Sequence, residues 1–183
     1  MNLIKSSRNV LLEGATPKYG CLMAMVPNDQ KQDFLNVARN IVSEKDLHEN
    51  GYEEEPHVTV LYGFHLDFDS NKLKRLCSEV LPIQFTIGKL SKFECPEYDV
   101  IKFDVNSSSL IDLNHDIARH YARSITASKY DYHPHLTVAY VKKGAPFNAE
   151  AAIEGLRPLI GRTLRVNSLL YSLPEKQGRV TID

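Results

Sequence analysis

Pro56-His57-Val58-Thr59-Val60-Leu61-Tyr62 recurs as Pro134-His135-Leu136-Thr137-Val138-Ala139-Tyr140, with five of the seven positions identical in register. The shared Pro, His, Thr and Tyr make the match more than a coincidence of apolar residues. Each stretch is β-branched and aromatic and opens after a proline, which reads as a strand. Side chains two residues apart on a strand share a face. His57 therefore stands beside Thr59, and His135 beside Thr137. By the same parity Val58, Val60 and Tyr62, with Leu136, Val138 and Tyr140, are expected to pack beneath helices. A concave sheet with both motifs on its open face brings two imidazoles and two hydroxyls into one cleft.

Around these strands the chain alternates between the two kinds of element. Tyr19 to Val26 reads as a buried strand, stopped by Pro27-Asn28-Asp29. A helix follows with Phe34, Val37, Ala38 and Ile41 on one face. After the first motif strand, Asp69 or Ser70 caps a helix burying Leu73, Leu76, Cys77 and Val80. Ile83 to Phe93 and Val100 to Val105 form a hairpin about Cys95-Pro96-Glu97. One of Ser107, Ser108 and Ser109 caps a helix bearing Leu110, Leu113, Ile117 and Tyr121. The second motif strand, a short helix near Ala149 to Leu156, and strands at about Thr163 to Leu173 and Arg179 to Ile182 complete the chain. The halves read as imperfect copies of one unit, interleaved within a single domain over residues 1–183.

The 183 residues are enough to bury a substantial core. With 43% hydrophobic and 25% charged residues the composition is that of a globular protein. A net charge of −1 provides no global positive field for long DNA or RNA, so a small or short nucleotide held locally is the expected partner. Cys21, Cys77 and Cys95 are scattered and form no CxxC pair, and they read as reduced thiols. No stretch has the apolar length of a signal h-region or a membrane span. A cytoplasmic monomer that meets neither membrane nor long DNA is expected.

Breaking a phosphodiester requires a proton taken from the attacking oxygen and one given to the leaving oxygen. Histidine does both near neutrality, because its unperturbed pKa of about 6.5 populates both forms. Threonine hydroxyls donate to the non-bridging oxygens as charge develops. This chemistry needs no metal or other cofactor. The plainer alternative, two strand-end histidines bonded to loops, leaves the matched threonines unexplained. A histidine cluster binding a metal, with His133 and His65 joining the motifs, is the other alternative. Pro134 disturbs that geometry, and no carboxylate lies at ligand spacing. His48, His115 and His120 read as surface residues.

At these positions the chain resembles the 2H phosphoesterase superfamily, whose signature is two His-x-Thr/Ser motifs. The resemblance extends from the strand at Tyr19 to the final strands. It implies an α+β, bilobal fold with pseudo-two-fold symmetry: two antiparallel-rich sheets around a central cleft, helices on the outer faces. It also implies that His57 and His135 are the acid–base pair and that Thr59 and Thr137 bind phosphate. The superfamily includes 2′–5′ RNA ligase-like proteins, 2′,3′-cyclic phosphodiesterases, 2′–5′ oligoadenylate phosphodiesterases, RNA 3′-end-trimming exonucleases and bacteriophage anti-CBASS enzymes. The stretch Glu55 to Gly63 is most similar to the compact phage and bacterial members. The implied activity is metal-independent cleavage of a cyclic or short oligonucleotide messenger. RNA end processing is the alternative substrate class, and a sequestering module without turnover the alternative function.

Substrate contacts beyond the motifs are expected from aromatic residues, since every base has a π-face. Tyr19, Tyr98 and Tyr132 are the candidates, and Lys176 and Arg179, near the last turn, are candidate cations for phosphate.

Overall fold

A computed structural model describes residues 19–65, 69–128, 131–146, 158–174 and 177–183. The elements run β1 (Gly20–Met25), α1 (Asn28–Ile41), a 3-10 turn (Glu44–Asp46), β2 (Leu47–Tyr52), β3 (His57–Phe64), α2 (Ser70–Ser78), β4 (Ile83–Glu94) and β5 (Tyr98–Asn106). They continue with α3 (Ser108–His120), β6 (His135–Lys142), β7 (Thr163–Val166), β8 (Leu169–Ser172) and β9 (Arg179–Ile182). The helix expected near Ala149 to Leu156 lies outside the described residues.

Helix boundaries follow from local chemistry. Pro27, which has no N–H to leave unpaired, precedes α1, and its carbonyl accepts from Gln30 and Lys31. Asp69 caps α2 by accepting from the N–H groups of Asn71 and Lys72, at 3.0 and 3.1 Å. Ser107 caps α3 and donates its own hydroxyl to the Gln84 carbonyl at 2.7 Å, fixing the helix start to β4. The apolar faces of all three helices, among them Phe34, Val37 and Ala38, Leu73 and Cys77, and Leu110, Leu113 and Ile117, enter one core. That core also takes Leu22, Ala24, Val58, Val60, Phe103 and Leu136 from the sheet, so the helices cover one face and leave the other open. Among the described residues no helix is long and apolar enough to cross a membrane.

The strands form one mixed-order sheet, β7-β4-β5-β6-β3-β1-β8-β9, with β2 paired to β6. The two expected sheets are present as its two halves, β7-β4-β5-β6 and β3-β1-β8-β9. They meet at one registered pair, Val58 with Leu136. Outward from that seam each motif strand is followed by three others, and β2 is an addition to β6 alone. The proline carbonyls preceding the motifs repeat the symmetry. Pro56 accepts from Val26 at 2.9 Å, beyond the end of β1, and Pro134 accepts from Val105 of β5 at 3.1 Å.

The stretch read as a single strand from Thr163 to Leu173 is two strands in opposite halves. β7 pairs with β4 and β8 with β1. Asn167 and Ser168 carry the chain between the halves. β2 was not foreseen, because Leu47-His48-Glu49-Asn50-Gly51-Tyr52 shows no alternation of apolar and polar residues.

Both motif strands carry a β-bulge one residue after the threonine. Leu22 pairs with Leu61 and Met23 with Thr59, leaving Val60 as the extra residue. Ile101 pairs with Ala139 and Lys102 with Thr137, leaving Val138. The carbonyls at both sites are bonded. Asn114 of α3 donates its side-chain amide to Val60 at 2.7 Å, and the Glu53 N–H donates to Val138 at 3.0 Å.

A bulge exchanges the faces of everything beyond it. Leu61 and Ala139 turn into the main core, and Tyr62 and Tyr140 turn to the open face. Parity alone had assigned those tyrosines to the core. Tyr140 is buried, but in a separate small cluster with Cys95 and Val100, against which Phe93 and Tyr98 pack.

Asp99 ties the start of β5 to β4 and to the turn that follows β6. It is 0% exposed and accepts from Lys143 at 2.8 Å, from the Gly144 N–H at 3.1 Å and from Lys92 at 3.3 Å. Burial alone would raise its pKa, but these donors outweigh it and hold the carboxyl below its ordinary range. A depressed folded-state value stabilises the protein above the unfolded pKa, near 3.9, and that stability is lost as pH falls through the folded value. Asp99→Ala is expected to cost about 2–3 kcal/mol, seen as a melting point lower by roughly 5–10 °C at pH 7. The deficit should shrink towards pH 3 in thermal scans, and a constant deficit across that range would contradict the assignment.

Candidate active site

Val58 and Leu136 point into the core at the seam, so the residues on either side of each point to the open face. Extending that antiparallel register by one residue sets His57 across from Thr137 and Thr59 across from His135. Directly opposed Cβ atoms lie about 4.5–5.5 Å apart, and diagonal neighbours about 7–8 Å. The histidines are the diagonal pair. Each threonine is next to the histidine of the other motif.

The imidazoles are oriented in the same way. His57 Nδ1 lies 2.7 Å from the Glu55 carbonyl and His135 Nδ1 lies 2.9 Å from the His133 carbonyl, in each case two residues upstream. A carbonyl only accepts, so each Nδ1 carries hydrogen. Nε2 is then the nitrogen that gains or loses a proton in both rings. His57, Thr59 and His135 are half-buried, and Thr137 is buried.

The surroundings of the two motifs differ. Across from His57 is Met25, and across from Thr59 is Met23. The buried Cys21 thiol receives a hydrogen bond from Thr59, but desolvation dominates and pushes its pKa up to about 12, which keeps it protonated. Across from His135 is Asp104, and across from Thr137 is Lys102. The carboxylate accepts from Lys102 Nζ and from Ser91 Oγ at 2.7 Å. Those donors overcome the effect of burial and hold Asp104 below the usual carboxylate range. Neither Lys102 nor Asp104 was foreseen. Their signal was two charged residues two apart in the otherwise apolar run Val100-Ile101-Lys102-Phe103-Asp104-Val105.

The substrate candidates fall in different places. Tyr19 is half-buried on the first half, edge-on to Tyr62 at 5.9 Å and 5.6 Å from the His65 ring. Tyr98 is half-buried on the second half, against His48 at 4.9 Å and Tyr140 at 6.1 Å. Tyr132 turns inward and packs on the main core. Its hydroxyl donates to the Thr59 carbonyl at 2.9 Å, and burial raises its pKa. It therefore ties the loop before the second motif to the strand of the first, rather than offering a ring to a base. Arg179 opens β9 and is committed to Glu55 by two bonds, 2.8 and 2.7 Å. That bond is the leading reason the Glu55 carboxyl is held low. Lys176 lies outside the described residues.

His65 Nε2 is 3.1 Å from Thr126 Oγ1, and His133 is exposed, its carbonyl taken by His135. Among the described residues no three His, Cys, Asp or Glu side chains converge.

An α+β sheet with two His-x-Thr strands facing one hollow across a pseudo-two-fold seam is the architecture of the two-histidine phosphoesterases. Residues 27–171 match the 2′-5′ RNA ligase superfamily, and the chain belongs to this family of 2H phosphoesterases, enzymes that cleave phosphodiesters. Among solved structures it is similar to TT0787 of Thermus thermophilus, with a TM-score of 0.62 and 14% identity over 89% of this chain and 93% of that one. It is also similar to E. coli LigT complexed with 3′-AMP, with a TM-score of 0.58 and 12% identity over 92% and 96%. Usb1 of Kluyveromyces marxianus aligns with a TM-score of 0.56 and 12% identity over 91% and 98%. At these identities the likeness is one of fold. No curated protein matches the sequence.

Proposed function

We propose that His57 and His135 are the general acid–base pair of a phosphodiesterase. Thr59 and Thr137 bind the non-bridging oxygens, and the substrate is a cyclic or short oligonucleotide messenger. Destruction of such a messenger is the activity of an anti-CBASS counter-defence enzyme. The Val58–Leu136 register supports this reading, because extending it by one residue makes His57 and His135 diagonal neighbours on one face, each opposite the threonine of the other motif.

In a 3′–5′-linked ribonucleotide the nucleophile is the neighbouring 2′-hydroxyl. One Nε2 takes its proton as the O2′–P bond forms, and the other histidine gives a proton to the 5′-oxygen as the P–O5′ bond breaks. The threonine hydroxyls donate to the oxygens that gain charge in between. The products are a 2′,3′-cyclic phosphate and a free 5′-hydroxyl, and no step calls on a metal. The net charge of −1 supports a short ligand over a long polyanion. Tyr19 with Tyr62 on one half, and Tyr98 backed by the buried Tyr140 on the other, are proposed to flank the scissile phosphate, with Tyr19, Tyr62 and Tyr98 offering their rings to bases.

A second reading, processing of 2′,3′-cyclic or 2′–5′-linked RNA ends, is favoured by two of the similar structures. One is LigT complexed with 3′-AMP and the other Usb1 with uridine monophosphate. Incubation with cyclic di- and trinucleotides, 2′–5′ oligoadenylates and 2′,3′-cyclic mononucleotides, with and without EDTA, separates the readings by mass spectrometry of the products. Turnover of a cyclic oligonucleotide, unchanged in EDTA, is expected. Turnover of RNA ends alone would select the second reading, and loss in EDTA reversed by zinc or manganese would overturn the mechanism.

A further inference from the structure

Behind the second motif lies a charged group that the two-histidine chemistry does not use. The Lys102 side chain is only 7% exposed, although lysine is almost never buried without a partner. Its Nζ donates to Asp104 and to Ser91 Oγ at 2.8 Å, and it sits 4.2 Å from the centre of the Phe93 ring. Phe93 in turn stands edge-on to the His135 imidazole, centroids 5.0 Å apart and planes at 90°. Asp104, on the adjacent strand directly across from His135, keeps 34% of its side chain exposed. The ammonium thus balances the carboxylate beside His135 and holds, through its ring face, the aromatic wall of the same imidazole. His57 has no such partner in register, because Met25 stands there.

We propose that Lys102 is a positioning residue for His135, acting through Asp104 and Phe93, and that the balance of the Lys102–Asp104 pair sets how readily His135 holds its proton. This rests on the reading of His135 as one half of the acid–base pair. The charged and titratable groups facing His135 are Asp104 and Lys102 from β5, and His57 across the seam. Lys89 of β4 is close enough to act on Asp104. Ser91, Thr59 and Thr137 add neutral dipoles. Of these, Lys102 and Asp104 are the oppositely charged pair in direct contact, so removing either member leaves the other uncompensated near the ring. Removing both restores neutrality.

The test is the titration of the His135 ring by NMR in the full-length protein, assigned by its loss in His135→Ala. Lys102→Met is expected to raise the titration midpoint by about 1 pH unit, since the unbalanced carboxylate favours imidazolium. Asp104→Asn is expected to lower it by a similar amount, leaving a cation in place. The double variant should return to within about 0.3 of the parent, and Lys102→Arg should stay near it. If Lys102→Met does not melt cooperatively, the difference between Asp104→Asn and the double variant carries the same test. Midpoints unmoved in every variant, or moved in the same direction by both single substitutions, would overturn the proposal. Activity assays on His135→Ala keep the two ideas apart. Full activity there removes His135 from the chemistry, while a dead enzyme with unmoved midpoints removes only the role of Lys102.

Discussion

Replacing either His57 or His135 with alanine is expected to slow turnover by roughly 10²–10⁴-fold, the usual contribution of one general acid or base. KM should change little, because neither imidazole carries the ground-state charge of the phosphate alone. Residues that act in one concerted transfer are not additive, so the double variant should fall well short of the product of the two single losses. Thr59→Val or Thr137→Val should cost less, about 10–10³-fold, since each hydroxyl is one donor among several around the developing charge. The folded state gives the comparison a control. Both histidines are half-buried on the open face rather than in the main core, so their truncation should leave the melting temperature nearly unchanged. A threonine loss larger than a histidine loss would point to transition-state binding, not proton transfer, as the main contribution.

The second large effect concerns the substrate. A 2′-hydroxyl already held beside phosphorus replaces a bimolecular attack by an internal one, an advantage that reaches many orders of magnitude in well-aligned systems. A substrate with 2′-deoxyribose at the scissile position should therefore be cleaved at least ~10³-fold more slowly, and the 2′,3′-cyclic product should disappear from the mass spectrum. Equal rates for the ribo and deoxyribo forms would show that water attacks, with the same two histidines activating it. Binding should persist in the deoxy form, because the phosphate still meets Thr59 and Thr137 and the bases still meet the flanking tyrosines. The deoxy compound would then act as a competitive inhibitor.

The four motif residues were legible because their signal is local and repeated: a period of two with a polar residue where a buried strand should be apolar. The same parity failed three residues further on, at Tyr62 and Tyr140. The bulges at Val60 and Val138 have no residue signature of their own. They are stabilised from a distance, one by Asn114 on α3 and the other by the Glu53 backbone. The helix caps were readable to within a residue or two, as Asp69 or Ser70 and as one of Ser107, Ser108 and Ser109, for the opposite reason: the capping group and the N–H groups it satisfies lie within three residues. Thr163 to Leu173 was misread as one strand because its alternation runs almost unbroken across Asn167-Ser168. The choice of partner strand is made by β4 and β1, far away in sequence. Tyr132 shows the same limit. Nothing in Asp131-Tyr132-His133 states that its hydroxyl is taken by Thr59. The Lys102–Asp104 pair is visible in the sequence only as two charges two apart in an apolar strand, because its third member, Ser91, comes from the neighbouring strand β4.

The acid–base pairing of His57 and His135 is tested most directly by the pH–rate profile of the parent and of the two single histidine variants on one ribonucleotide substrate. The parent profile should be bell-shaped, since one imidazole acts neutral and the other charged. His57→Ala should abolish one limb and His135→Ala the other, each variant retaining the limb that belongs to the remaining ring. Bell-shaped profiles with both limbs intact in either variant would contradict the assignment of these two histidines as the acid–base pair.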